Sequence, residues 1–184
     1  MHQPPPRIIR ALRDGKTVKI PKPVLVVDTR EREGWAWGFE RFLGWFAGIE
    51  HRALALGDYA IGGYEKRLAV ERKTLDDAVK SVAPSQRREV FIGRAAALGR
   101  MRRAAIVIEG TFDELHEQCS VTAMHPNAVI GSYLALQARH RLPVIFAGGR
   151  ELAEEWAAHF LTRAYVHLWL TDHRLGGHFV DGDI

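Results

Sequence analysis

One cysteine, Cys119, stands among 184 residues. A single thiol can form neither an intrachain disulfide nor a cysteine-cluster zinc site, which fits a reducing setting and predicts a cytoplasmic protein. No apolar run approaches the roughly 20 residues that a spanning helix needs. Met1–Pro6 lacks the apolar stretch of a secretion signal, so neither membrane insertion nor export is expected. The nine histidines show no metal-ligand spacing. Internal repeats are absent, and Pro4-Pro5-Pro6 is the only low-complexity tract.

What is present reads as an ordinary globular domain with a sizeable core: 47% of residues are hydrophobic and 26% charged. The charge is uneven. Residues 1–110 carry 21 Lys and Arg against 13 Asp and Glu, a net +8, whereas residues 111–184 carry 5 against 9, a net −4. A basic region with carboxylates embedded in it fits a polyanionic partner approached by acidic groups, or a solvated basic surface. Residues 1–22 form a basic arm, with Arg7, Arg10, Arg13, Lys16, Lys19 and Lys22 recurring every third position. It reads as a phosphate-contacting extension or a tail.

Val24–Val27 is a purely apolar run and predicts a buried strand ending at Asp28. Residues 35–48 hold Trp37, Phe39, Phe42, Leu43, Trp45 and Phe46 and predict an aromatic-rich helix packed in the core. Strands are expected over Ala53–Ile61 and Arg67–Lys73, joined as an antiparallel hairpin by Gly62-Gly63. Helices follow over Thr74–Val82, Gln86–Arg103, Pro126–Gln137 and Glu151–Ala164, with strands at Ala105–Ile108 and Pro143–Phe146. In the last helix, Leu152, Trp156 and Phe160 share the face expected to be apolar. Strands alternating with helices, plus one hairpin, predict an α/β fold around a mixed sheet.

The hairpin concentrates chemistry. Side chains alternate along a strand, so Glu71 and Lys73 share one face and Arg72 takes the other. The turn brings Asp58 beside Glu71, and Asp28 ends the neighbouring strand. Paired carboxylates with a lysine suit phosphodiester hydrolysis, because Mg²⁺ prefers carboxylate oxygens and retains water, with Mn²⁺ as a substitute. Asp28, Asp58 and Glu71 are the candidate metal ligands, with a salt bridge to Arg30 or Arg72 as the alternative for Asp28, and Lys73 is placed to orient water or stabilise the transition state. Arg72 is expected to order carboxylates through its planar guanidinium. In the helix over 86–103, Arg87 and Arg94 fall within the apolar stripe of Val90, Phe91, Leu98 and Met101. They either frame a DNA site or snorkel at the stripe's ends.

An acidic residue followed by Glu-x-Lys on a strand is the pattern of the PD-(D/E)XK nuclease superfamily. The fuller string Val27-Asp28-Thr29-Arg30-Glu31, then Gly57-Asp58-Tyr59, then Val70-Glu71-Arg72-Lys73-Thr74-Leu75-Asp76-Asp77 closely resembles the XPF-type structure-selective endonuclease family. The likeness continues more loosely through Ile106–Glu109, Leu134–Gln137 and Pro143–Phe146, and so spans Val24–Tyr165. It implies a restriction-endonuclease-like three-layer fold, with an arm at 1–22, a nuclease domain at 23–166 and a tail at 167–184. It also implies divalent-metal-dependent cleavage near duplex/single-strand junctions of branched DNA, and a homodimer or a heterodimer with a related subunit. The compartment that follows is cytoplasmic, nucleoid-associated in a prokaryote. The resemblance adds Asp77 to the catalytic set, though Thr74-x-x-Asp77 also matches a variant capping box. Arg30 becomes a DNA contact, and Glu31 reaches the metal through water or orders Arg72. Relatives carry tandem helix-hairpin-helix motifs after this domain, for which residues 166–184 are too few. The alternatives are a catalytically silent DNA-binding or dimerisation module, and another nuclease of the superfamily such as a resolvase.

Overall fold

The computed structural model describes residues 8–10, 17–31, 34, 36–122 and 124–175. Six strands form one mixed sheet: β3 (Val24–Val27), β4 (Gly48–His51), β5 (Tyr59–Ile61), β6 (Leu68–Thr74), β7 (Arg103–Glu109) and β8 (Val144–Phe146). Their spatial order is β4-β3-β5-β6-β7-β8. β5 runs antiparallel to β3 and β6, while β3–β4, β6–β7 and β7–β8 pair in parallel. The sheet is covered on both faces. α5 (Arg150–Asp172) packs on one, and α1 (Leu75–Val82), α2 (Gln86–Gly99), α3 (Phe112–Val121) and α4 (Pro126–His140) pack on the other. Leu68, Val70 and Val107 point toward α5, and Ala69, Ile106 and Ile108 toward α1–α4. Near-continuous apolar runs in β3 and β7 are what burial on both faces requires.

The expected antiparallel pairing of the two central strands is present, although the first is only Tyr59–Ile61. The aromatic segment differs more. It buries Trp37, Phe39, Phe42, Trp45 and Phe46 in the core as expected but leaves Leu43 56% exposed, and its helix is a six-residue 3₁₀ turn over Glu40–Trp45. Phe39 adopts a left-handed φ of 54°, which breaks any longer helix and lets rings on either side of it reach the core. The last helix runs on to Asp172, so residues 167–172 belong to the folded domain: Leu168 and Leu170 are buried, and Arg67 forms an ion pair with Asp172. Its sheet-facing side is Ala153, Ala157, Leu161 and Ala164, where small side chains let the helix approach closely. Leu152 is 57% exposed. Trp156 and Phe160, half-buried, stack on each other at 4.9 Å.

Two short strands lie in the basic arm, β1 (Ile8–Arg10) and β2 (Thr17–Lys19), paired antiparallel. Ile20, just beyond them, is buried in the main core. Arg7, Arg13 and Lys16 lie outside the described residues. Cys119 lies on the buried face of α3 among apolar neighbours, as a small hydrophobe. Among the described residues no helix is long and apolar enough to cross a membrane.

Candidate active site

Tyr59 pairs with Val70 and Ala60 with Ala69, and continuing that register by one residue sets Asp58 opposite Glu71. Opposed residues of an antiparallel pair point to the same face. Gly57 makes the approach possible. Its φ is +77°, and an added Cβ would stand 2.8 Å from the Ala69 Cβ and 3.1 Å from the Val70 carbonyl oxygen. The backbone then locks. The Asp58 amide donates to the Val70 carbonyl at 2.8 Å, and the Asp28 amide to the Asp58 carbonyl at 2.8 Å. The Asp58 carboxylate accepts the next β6 amide, that of Arg72, at 2.7 Å.

Glu71 is nearly buried, with 6% of its side chain exposed. Its Oε1 meets the Lys73 Nζ at 3.2 Å and its Oε2 lies 3.6 Å from an Arg94 nitrogen, too far for a hydrogen bond. Glu71 Oε2 is a buried acceptor without a hydrogen-bond partner. The Lys73 ammonium also sits over the Phe91 ring, 5.1 Å from its centroid, so α2 helps hold it. Burial and the neighbouring Glu71 and Glu31 carboxylates push the Asp58 carboxyl well above its ordinary range, only partly offset by the Arg72 amide and Lys73. A cleft of about 260 Å³ opens over these groups, lined by Asp58, Glu71, Lys73, Arg30, Arg87 and Arg94 among others.

Asp28 does not join that ligand set. Its buried carboxylate accepts from the Arg30 amide, Nε and Nη2 at 2.7–2.8 Å and from the Leu54 amide at 2.7 Å. Burial alone would raise its pKa, but the bonds from Arg30 and Leu54 outweigh that and hold it below the ordinary range. With both oxygens taken by donors, Asp28 positions Arg30 rather than facing a cation. Among the described residues no three His, Cys, Asp or Glu side chains converge closely enough to hold a metal. The carboxylates facing the cleft are the pair Asp58 and Glu71.

Arg72 leaves the cleft altogether, so it is not a group that can touch substrate there. It turns to the α5 side, where Nε and Nη2 donate to the two Glu109 oxygens at 2.8 and 3.1 Å and Nη1 donates to Glu31 Oε2 at 3.2 Å. Glu31 also accepts from the Tyr59 hydroxyl at 3.3 Å, and that hydroxyl accepts from the Trp37 amide at 2.7 Å. The Trp37 indole donates to Glu109 at 2.6 Å and its ring stacks on Tyr59 at 4.8 Å. Glu109, Trp37 and Tyr59 were not among the expected site residues. Glu109 was detectable as the carboxylate that ends an otherwise apolar strand.

Asp77 stands at the start of α1, where Thr74 Oγ1 accepts from its amide at 3.2 Å. The Asp77 carboxylate, half-exposed, pairs with Arg87 at 2.7 Å. It therefore sits at the rim, one ion pair away from the cleft.

A mixed sheet between two helical layers, with carboxylates and a lysine on the hairpin at its centre, defines a restriction-endonuclease-like α/β protein. A family model for the ERCC4 domain matches residues 27–160, and the chain belongs to that family. Among solved structures it is similar to XPF from Aeropyrum pernix, at 21% identity and a TM-score of 0.56, over 83% of this chain and 69% of that one. It is also similar to XPF from Aeropyrum pernix in complex with DNA, at 19% identity and a TM-score of 0.56, over 79% and 66% of the two chains. Comparison with curated protein sequences returned no match.

Proposed function

We propose that the chain is a divalent-metal-dependent endonuclease that hydrolyses phosphodiester bonds in DNA, at branched or flap junctions during repair or recombination. The observation that carries this reading is the pair Asp58 and Glu71. Two carboxylates share a small cleft, one with its pKa driven upward by burial and by the neighbouring carboxylates, and the second with a buried oxygen lacking a hydrogen-bond partner. A hard cation resolves both defects, and Mg²⁺ or Mn²⁺ fits a site of few carboxylates because it keeps several waters. Asp58 and Glu71 would hold it. When bound, such a cation polarises the scissile phosphate and lowers the pKa of its water.

The remaining chemistry belongs to the chain. Lys73, held beside Glu71, presents protons to a phosphate oxygen or to the attacking water. Arg30, Arg87 and Arg94 line the cleft and supply positive charge for the flanking phosphates. Membership of the ERCC4 family supports the reading, as does the similarity to an XPF whose solved structure is a complex with DNA. The complete set of Asp58, Glu71 and Lys73 favours a working enzyme over a catalytically silent module.

Single-turnover cleavage of labelled flap, fork, bubble and linear DNA tests this. Glu71→Gln and Asp58→Asn should each lower the rate by about 10²–10³-fold or more, the scale of losing one electrostatic stabiliser. EDTA should stop the wild type. Cleavage at the wild-type rate by both variants would sink the assignment. The reading extends to a homodimer or a heterodimer with a related subunit. On α5, Trp156, Phe160 and Trp169 retain exposed surface that such a contact would cover, whereas Tyr133 and Leu136 of α4 are core. Light scattering that gives a monomer at tens of micromolar would refute the homodimer.

A further inference from the structure

We propose that the cleft continues along α2 into a second subsite, which holds the unpaired nucleotide strand leading away from the scissile bond. This rests on the nuclease reading above and assigns a place to part of its substrate. The catalytic cleft uses Arg87, Phe91 and Arg94 of α2 as one wall. A second cavity, of about 430 Å³, lies against Ala97, Arg100 and Met101 at the end of the same helix. Contacts recurring every three or four residues mark a single helix face, so one face of α2 borders both spaces.

The opposite wall is continuous too. The segment Arg52–Leu56 lines the second cavity and runs directly into Gly57-Asp58. Arg30, which lines the first, donates to the Leu54 carbonyl at 2.7 Å. From Arg94 to Arg100 is about 9 Å along a helix axis.

The second cavity is built for a sugar–phosphate chain. Lys66 and Arg100 are exposed at its mouth, and neither has an ion-pair partner among the described residues. Arg52, by contrast, is held by Glu50 and Glu65. Below the cations the surface is apolar, made by Leu54, Leu56 and Met101. A base or sugar can pack there while its phosphate meets the rim. The volume falls in the range of small-ligand pockets, about 300–1,000 Å³, which admits a nucleotide and excludes a duplex. No aromatic ring lines the cavity, so contact with the base is apolar packing and tolerates any sequence.

The test is fluorescence anisotropy of labelled single-stranded, forked and blunt-duplex DNA, with EDTA present, over a series of salt concentrations. The double variant Lys66→Gln/Arg100→Gln removes two charges from exposed positions and retains the aliphatic stems. On single-stranded and forked DNA, its slope of log affinity against log salt should be shallower than wild type by about 1.4, at roughly 0.7 per lost contact. On the blunt duplex the slope should be unchanged. An unchanged slope on single-stranded and forked DNA, with a wild type that binds and cleaves, overturns the subsite and leaves the nuclease reading intact. A wild type that binds none of the three DNAs overturns both.

Discussion

Arg72 and Lys73 are neighbours in one strand, yet they stand in opposite electrostatic regimes. On the α5 side, Arg72 is closed in by Glu109 and Glu31, with Trp37 and Tyr59 completing the bonds. On the other side, Lys73 and Glu71 face a cleft in which two carboxylates crowd together and one oxygen is unpartnered. A satisfied buried network rigidifies, and an unsatisfied one is costly unless something else completes it. The difference separates the strand's two tasks. One face holds the backbone in place, and the other keeps charge available for a ligand.

The largest way to break this comparison is Arg72→Met. Removing one partner of a buried ion pair leaves an uncompensated charge and costs about 3–5 kcal/mol. Here it would strand Glu109 and Glu31 together. At about 2–4 °C per kcal/mol for a chain of this size, Tm should fall by roughly 6–20 °C in thermal melts with EDTA present. An unchanged Tm would mean that the α5-side network is not what fixes the strand.

Asp58→Asn should act in the other direction. The native Asp58 pKa is raised, so the folded chain binds that proton more tightly than the unfolded chain does. Its contribution to stability is therefore complete below the unfolded value of about 3.9 and is lost as pH rises through the folded value. Asparagine never ionises, and its oxygen can still accept from the Arg72 amide. Without metal, the variant should melt a few degrees above wild type at neutral pH, and the gap should close below pH of about 4. Adding Mg²⁺ should raise the wild-type Tm only. A wild type whose metal-free Tm rises steadily from pH 4 to 8, in parallel with the variant, would contradict strain in the cleft.

The smallest effect belongs to Asp77→Ala. Its pair with Arg87 is half-exposed, which limits it to about 0.2–1 kcal/mol. If single-turnover cleavage also stays within about threefold of wild type, Asp77 serves only the helix start and Arg87. A loss beyond about 10²-fold would make it part of the catalytic machinery.

The pair facing the cleft was legible because it is local. Strand alternation separates Arg72 from Glu71 and Lys73, and a glycine turn brings Asp58 alongside. Asp28 carried two readings, metal ligand or salt bridge with Arg30 or Arg72, because spacing shows that a carboxylate ends a strand but not which donors reach it first. Arg30 lies two residues away and takes both oxygens. The α5-side network joins residues as distant as Trp37 and Glu109, and periodicity carries no such long-range pairing. Four elements escaped: the two short strands of the arm, β1 and β2, which lie in a segment read only as an extension or a tail, and β4 and α3. β4 is a short, mostly exposed edge strand without a strong apolar alternation. α3 carried a readable capping box at Thr111 and Glu114, which the structure forms in full.

The Asp58 amide lies in the ladder to Val70, and the Asp28 amide in the ladder to Asp58. The carboxylate of Asp58 is thus anchored to backbone that opens only when central strands separate. Such amides exchange their protons with solvent at rates set by the most protected part of a fold. The clock for rearranging this cleft's floor is accordingly that of unfolding, while the arginine side chains of α2 are left to adjust on the far faster time scale of rotamers. Whatever ligand enters meets a floor that does not yield and a wall that can.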